Sequence, residues 1–207
     1  MIDFLIYGCV AYLFGSIPTA VWVGKARYGI DVRMHGSKNA GATNTFRVLG
    51  KKPGIVVLSI DIIKGFTAVI LPFLLGVGEW GNEHLVHVQL VCALSAVLGH
   101  VLPIFAGFKG GKGVATSLGV IIGVQPAAAG LCLLLFLVVF IVSNFVSLGA
   151  ISAALVFPLI VVFVFHGSDP WLITFCVVLS LAVIYVHRKN IGRLIRGEEN
   201  RMNLFKK

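Results

Sequence analysis

Ten residues, Gly107-Phe-Lys-Gly-Gly-Lys-Gly-Val-Ala-Thr116, set Lys109 and Lys112 among Gly107, Gly110, Gly111 and Gly113. Lysines bring positive charge and glycines let an anion approach backbone N–H groups, so the stretch suits a phosphate. It is not a Walker loop, because Gly113 stands where serine or threonine must follow Lys112. A second cluster runs from Gly36 to Arg47 and offers Ser37, Asn39, Thr43 and Asn44 as neutral hydrogen-bonding groups among small residues. Arg47 adds a planar fork able to hold two phosphate oxygens. A third cluster sets His187 and Asn190 three residues apart, on one face if the segment is helical. Each also has a plainer reading: a glycine turn between membrane helices, an N-cap cluster, and a basic interfacial tail.

The chain that must position them is 58% hydrophobic and only 12% charged over 207 residues. Soluble domains carry roughly 25% charged residues. The composition therefore predicts an all-α integral membrane protein, a single polytopic domain over 1–207. Apolar runs at 2–24, 54–77, 85–106, 127–146, 149–166 and 170–186 approach or reach the ~20 residues that cross a bilayer. The apolar piece between Gly113 and Val124 is shorter, at ~1.5 Å per residue about 18 Å.

Charge sets the expected topology. Of 17 lysines and arginines, seven fall in 25–52 and seven in 188–207, with Lys109 and Lys112 in the glycine-rich stretch. The turns 78–84 and 167–169 hold none, and carry Glu79, Glu83 and Asp169. The positive-inside rule makes the basic segments cytoplasmic. From the loop at 113 to the outer turn at 167–169 the chain needs an odd number of crossings, and 127–146 and 149–166 supply two. The short segment is the third. The expectation is seven transmembrane helices, N-terminus outside and C-terminus cytoplasmic, with a short fourth helix. The first run lacks a basic n-region and a cleavage site, so it is expected to remain.

Several chemistries are disfavoured. The net charge of +9 follows the topology, without an aromatic-basic stripe, so no nucleic acid is expected. Cys9, Cys92, Cys132 and Cys176 lie in apolar runs without Cys-x-x-Cys spacing and read as small buried hydrophobes. No metal and no cofactor are expected, since no carboxylate or His/Cys cluster lines the three segments. Asp61 and Lys64, one turn apart inside the second run, are either a packing pair or place Lys64 on a substrate phosphate. His100 ends the third run just before the glycine-rich stretch, while His84, His87 and His166 read as interfacial.

In this order the three clusters resemble the PlsY family of acyl-phosphate:glycerol-3-phosphate acyltransferases. The family's Gly-Ser-x-Asn-x-Gly-Ala-Thr-Asn-x-x-Arg stands at Gly36–Arg47, and Phe-Lys-Gly-Gly-Lys-Gly-Val-Ala-Thr at Phe108–Thr116. His-Arg-x-Asn-Ile-x-Arg-Leu stands at His187–Leu194, followed by Gly197-x-Glu199. The resemblance implies acyl transfer from acyl phosphate to the 1-hydroxyl of glycerol 3-phosphate, giving lysophosphatidate and phosphate. It implies a bacterial cytoplasmic (inner) membrane enzyme whose site faces the cytoplasm, with two substrates and membrane lipid as partners. Oligomeric state is left open, a monomer being compatible.

Ser37, Arg47, Lys112, His187 and Asn190 are then the expected catalytic residues. Asn39, Thr43, Asn44, Lys64, Lys109, Gly110, Gly111, Gly113 and Thr116 are expected around the phosphates. Asp61 and Glu199 are expected to be structural, Glu199 through Arg193 or Arg196. No histidine has aspartate five residues on, and there is no nucleophile elbow. Acyl phosphate is already activated, so direct attack by the glycerol hydroxyl is expected. Lys112 and loop amides would stabilise the departing phosphate, and the proton would go to the substrate phosphate or to His187. A transporter for a phosphorylated solute is the competing class, but the three motifs do not repeat as its halves should. A membrane scaffold leaves the polar motif residues unexplained.

Overall fold

The computed structural model describes residues 1–202; Lys206 and Lys207, counted above in the basic tail, lie outside the described residues. Among the described residues ten α-helices follow one another: α1 Ile2–Gly15, α2 Thr19–Tyr28, α3 Ala42–Leu49, α4 Lys51–Leu74, α5 Glu83–Val101, α6 Val114–Val124, α7 Pro126–Ser143, α8 Val146–Leu159, α9 Pro170–Val186 and α10 Arg188–Ile195. Two of the expected runs are interrupted. The first breaks at Ser16–Pro18, because Pro18 has no N–H to continue the ladder, and α2 restarts at Thr19. The run expected at 149–166 passes, two residues after Pro158, into a π-helical turn at Ile160–Val164. Taking α1 and α2 as one broken run, five helical segments among the described residues are long and apolar enough to cross a membrane. α9 and α10, bent by 58°, make a sixth as a pair, and α6 has only eleven residues.

The chain divides into two compact units, residues 1–125 and the residues from Pro126 on. In the first, α1 and α5 run side by side in the same direction. Asp3 meets His84 at 3.0 Å near their starts, and the Tyr12 hydroxyl donates to Leu102 O at 2.8 Å near their ends. α4 runs back the other way, Gln89 on α5 donating to Val69 O at 3.2 Å, and α6 lies along α4. Small residues bring these backbones close. A Cβ on Gly65 would strike Thr116 O and one on Gly119 would strike Ile62 O, while Gly15 and Gly99 press in the same way on Ala96 O and Tyr12 O. Helices in lipid associate through such close packing, there being little hydrophobic drive between them. The arrangement gathers the loop after α2 and the loop after α5 at one end of the unit.

In the second unit α8 packs between α7 and α9, with Phe157 and Phe175 meeting edge to face at 6.3 Å. Cys92, Cys132 and Cys176 are buried, but Cys9 is exposed, because its face of α1 points outward from the bundle.

Candidate active site

The loop after α2 is built around an acid and a base that the sequence reading passed over. Asp31 caps a 3-10 turn, accepting from Arg33 N at 3.0 Å, and the Arg33 side chain grips the same carboxylate through Nε (3.0 Å) and Nη2 (2.7 Å). Arg33 Nη1 donates onward to Ala106 O at 2.9 Å, tying this loop to the loop after α5. The guanidinium's hydrogen bonds, against the opposing effect of burial, hold Asp31 well below the usual carboxylate range. The Asp-x-Arg spacing was the available signal.

Asn44, in the first turn of α3, is buried. Its Nδ2 donates to Val32 O (2.8 Å) and His35 O (3.1 Å), and its Oδ1 accepts from Ser37 N (2.8 Å). Both amide hydrogens are thereby committed within the protein. The brace leaves Ser37 exposed at the loop tip, with Asn39 and Thr43 partly buried, and Arg47 exposed on α3.

The glycine-rich loop folds back on the end of α5. Gly110 N donates to Val101 O at 3.2 Å and Gly111 N to His100 O at 3.1 Å. The last carbonyls of a helix lack intrahelical partners, and these two amides satisfy them, so they are not the open donors expected for a phosphate. A Cβ on Gly111 would strike His100 Nε2 and lie 3.1 Å from Ala40 O, so the first and second motifs touch here. Gly113 then turns the chain into α6 at φ 76°, a conformation costly for residues with a side chain. The first intrahelical bond of α6 runs from Ser117 N to Gly113 O (2.6 Å), so the amides of Val114, Ala115 and Thr116 have no intrahelical acceptor. Lys112 is half-buried beside them and Lys109 is exposed. Thr116 is buried against α4, its hydroxyl without a partner among the described residues.

Two grooves reach this end of the unit. One, of about 550 Å³, is lined by Arg33, Lys38, Lys109 and Gly110. The other, of about 440 Å³, is apolar and runs between α1 and α5 from Phe4 to Tyr12 and Leu98.

Behind the loops lies a buried charged cluster. Asp61 Oδ1 accepts from Thr19 Oγ1 (3.0 Å) and Lys64 Nζ (2.9 Å), and His100 Nδ1 lies 3.6 Å away. Lys64 also donates to Ile17 O at 2.9 Å, at the break before α2. Lys64 is only 4% exposed.

The third motif belongs to the second unit. His187 stands at the bend between α9 and α10, with Nδ1 2.8 Å from Val183 O. A carbonyl only accepts, so Nδ1 carries the proton and, in the neutral ring, Nε2 is the acceptor. Asn190 Nδ2 donates to Glu199 Oε1 at 2.7 Å, Ser147 on α8 donates to the same oxygen at 2.9 Å, and Arg193 Nε donates to Oε2 at 2.7 Å. Arg196 turns instead to Glu198, at 2.7 Å. Partial burial pushes the Glu199 carboxyl up, but the hydrogen bonds from Arg193, Asn190 and Ser147 outweigh it and hold it below its ordinary value. Met202 N donates to Asn144 O at 2.8 Å, laying the tail on the turn between α7 and α8.

The fold and the loops define an integral membrane protein whose first unit carries basic, glycine-rich loops at one end. The chain belongs to the glycerol-3-phosphate acyltransferase family, whose sequence profile matches residues 5–197. It is 41% identical to a glycerol-3-phosphate acyltransferase of Chlorobaculum tepidum, the match covering 100% of both chains. A relative of the same name from Salinibacter ruber is 40% identical over 95% of this chain and 91% of its own. Among solved structures, the chain is similar to the glycerol 3-phosphate form of PlsY (YgiH), an integral membrane glycerol 3-phosphate acyltransferase. The identity is 38% and the TM-score 0.86, covering 98% of this chain and 99% of that one. The lysophosphatidic acid form of PlsY matches with a TM-score of 0.83, again at 38% identity, over 97% of this chain and 95% of that one.

Proposed function

We propose that this protein transfers a fatty acyl group from acyl phosphate to the 1-hydroxyl of glycerol 3-phosphate, releasing phosphate and lysophosphatidate. The reaction is the first acylation of phospholipid synthesis, at the cytoplasmic leaflet of the bacterial inner membrane. The observation that carries the reading is the close approach of Gly111 to Ala40 O, to which an added Cβ would lie 3.1 Å, so that two basic motif loops come together at one end of the first unit. A basic groove and an apolar groove reach that same end, as suits substrates with phosphate heads and one acyl tail. The relatives' names and the bound forms of PlsY supply the acceptor and the product.

The glycerol hydroxyl attacks the acyl carbonyl, an ester C–O bond forms, and the bond from that carbon to the phosphate oxygen breaks. Lys112 and the first-turn amides of α6 neutralise the departing phosphate. Arg47 grips the phosphate of glycerol 3-phosphate, and Ser37, Asn39, Thr43 and Lys109 complete the polar lining. The proton goes to a substrate phosphate or to His187 Nε2, and Asn190 is the other catalytic residue of the third motif. Four expected phosphate contacts are assigned differently. Asn44 braces the first loop, the Gly110 and Gly111 amides strap the second to α5, and Lys64 closes the buried cluster.

The chain crosses the membrane seven times, N-terminus outside, with α6 as the short fourth crossing. Support comes from the first unit, where α6 begins at the loop end and runs away from it beside α4. The test is purified protein in detergent, given acyl phosphate and glycerol 3-phosphate. Lysophosphatidate should form without any other protein. No product, together with uptake of glycerol 3-phosphate into vesicles holding the protein, would make it a transporter.

A further inference from the structure

We propose that His100 is a positioning residue that sets the glycine-rich loop, and with it Lys112, by linking Gly111 to the buried Asp61 carboxylate. The proposal rests on the reading of that loop as phosphate-holding.

His100 meets the loop twice. Its main-chain oxygen accepts from Gly111 N at 3.1 Å, and its ring fills the space beneath Gly111, since a Cβ there would strike Nε2 and approach Cε1 to 3.0 Å. The other edge of the ring faces inward, Nδ1 lying 3.6 Å from Asp61 Oδ1. Asp61 is fixed in turn by Thr19 and Lys64. The ring is thus a spacer between a carboxylate anchored on two other helices, α2 and α4, and the residue just before Lys112. Packing alone does not call for an imidazole. The ring is 6% exposed, and Nδ1 has no hydrogen-bond partner among the described residues. Burying a polar group this way is costly unless a nearby group orients it, and Asp61 is placed to do so. Functional groups must be held to within about 0.5 Å, and Gly111 can lie flush on the ring only because it lacks a side chain.

The test is a set of variants in purified protein, read as kcat/KM for acyl phosphate and as the unfolding midpoint in detergent. In Gly111→Ala the new methyl meets the ring, and activity should fall roughly 10- to 100-fold, the range that overpacking produces. His100→Asn keeps an N–H where Nδ1 was and shortens the other edge. It should cost activity on its own, because Gly111 loses its support, yet raise the activity of Gly111→Ala at least about tenfold when the two are combined. His100→Leu keeps the bulk without the N–H and should be clearly worse than His100→Asn.

Losses that simply multiply in the double variant would overturn the proposal, and so would equal activity of His100→Leu and His100→Asn. If Gly111→Ala lowers the midpoint instead of the rate, the same rescue must appear in the midpoint. Full activity in Gly111→Ala would remove the loop from the phosphate site, and the wider reading would fail with it.

Discussion

Glu199 accepts a hydrogen bond from Asn190 at 2.7 Å, so a carboxylate beyond α10 fixes a side chain one turn past the bend at His187. Ser147 and Arg193 donate to the same carboxylate, which makes Glu199 the clasp of the third motif.

The clasp predicts a pH dependence. The folded carboxyl lies below its ordinary value of 4.5, so it contributes stability in full above about pH 5 and loses it as the pH falls through the folded value. Glu199→Gln lacks that contribution at every pH. The unfolding midpoints of the two proteins in detergent should differ at pH 7 and converge on acidification. A gap that stays constant from about pH 6 to pH 3 would rule the clasp out.

The Asp61–Lys64 pair is buried on both sides, so removing one partner leaves an uncompensated charge inside the bundle. Asp61→Ala should cost about 3–5 kcal/mol of stability. Replacing both partners by apolar residues should cost less, which thermal unfolding of the single and double variants measures. An unchanged midpoint in Asp61→Ala would mean the pair carries no structural load.

Arg47 and Lys112 should respond differently to an exchange of their bases. A charge-assisted hydrogen bond is worth roughly 1.5–3 kcal/mol, about 10- to 150-fold in rate or affinity. Arg47→Lys loses the planar fork while keeping the charge, so activity should fall heavily. Lys112→Arg keeps a positive charge near the departing phosphate and should lose less. Full activity in Arg47→Lys, with folding intact, would make the first motif a structural turn.

Topology is testable by the side from which Glu83→Cys reacts. The seven-crossing reading places it opposite Lys51→Cys and Lys109→Cys. Labelling of all three from the cytoplasm alone would overturn this topology, and with it the count of seven crossings.

Much of this architecture was readable in the sequence because long apolar runs and basic loops are one-dimensional signals. The same apolar content hid the break at Pro18, which leaves Ile17 O to receive Lys64. The three motifs were visible as residue types at fixed spacing, but the use of their donors was not. Whether a Gly110 or Gly111 amide is open depends on which carbonyls the end of α5 leaves exposed. Likewise Thr19, Asp61 and His100 come from three helices, and nothing local to any of them announces the cluster. Arg33 was missed because its partner Ala106 O is a backbone atom 73 residues away.

The central claim is the identity of the donor, and the most direct measurement is product stoichiometry with purified protein. With acyl phosphate and glycerol 3-phosphate, lysophosphatidate and inorganic phosphate should appear in equal amounts, while acyl-CoA in place of acyl phosphate should give no turnover. Comparable lysophosphatidate from acyl-CoA would contradict the account.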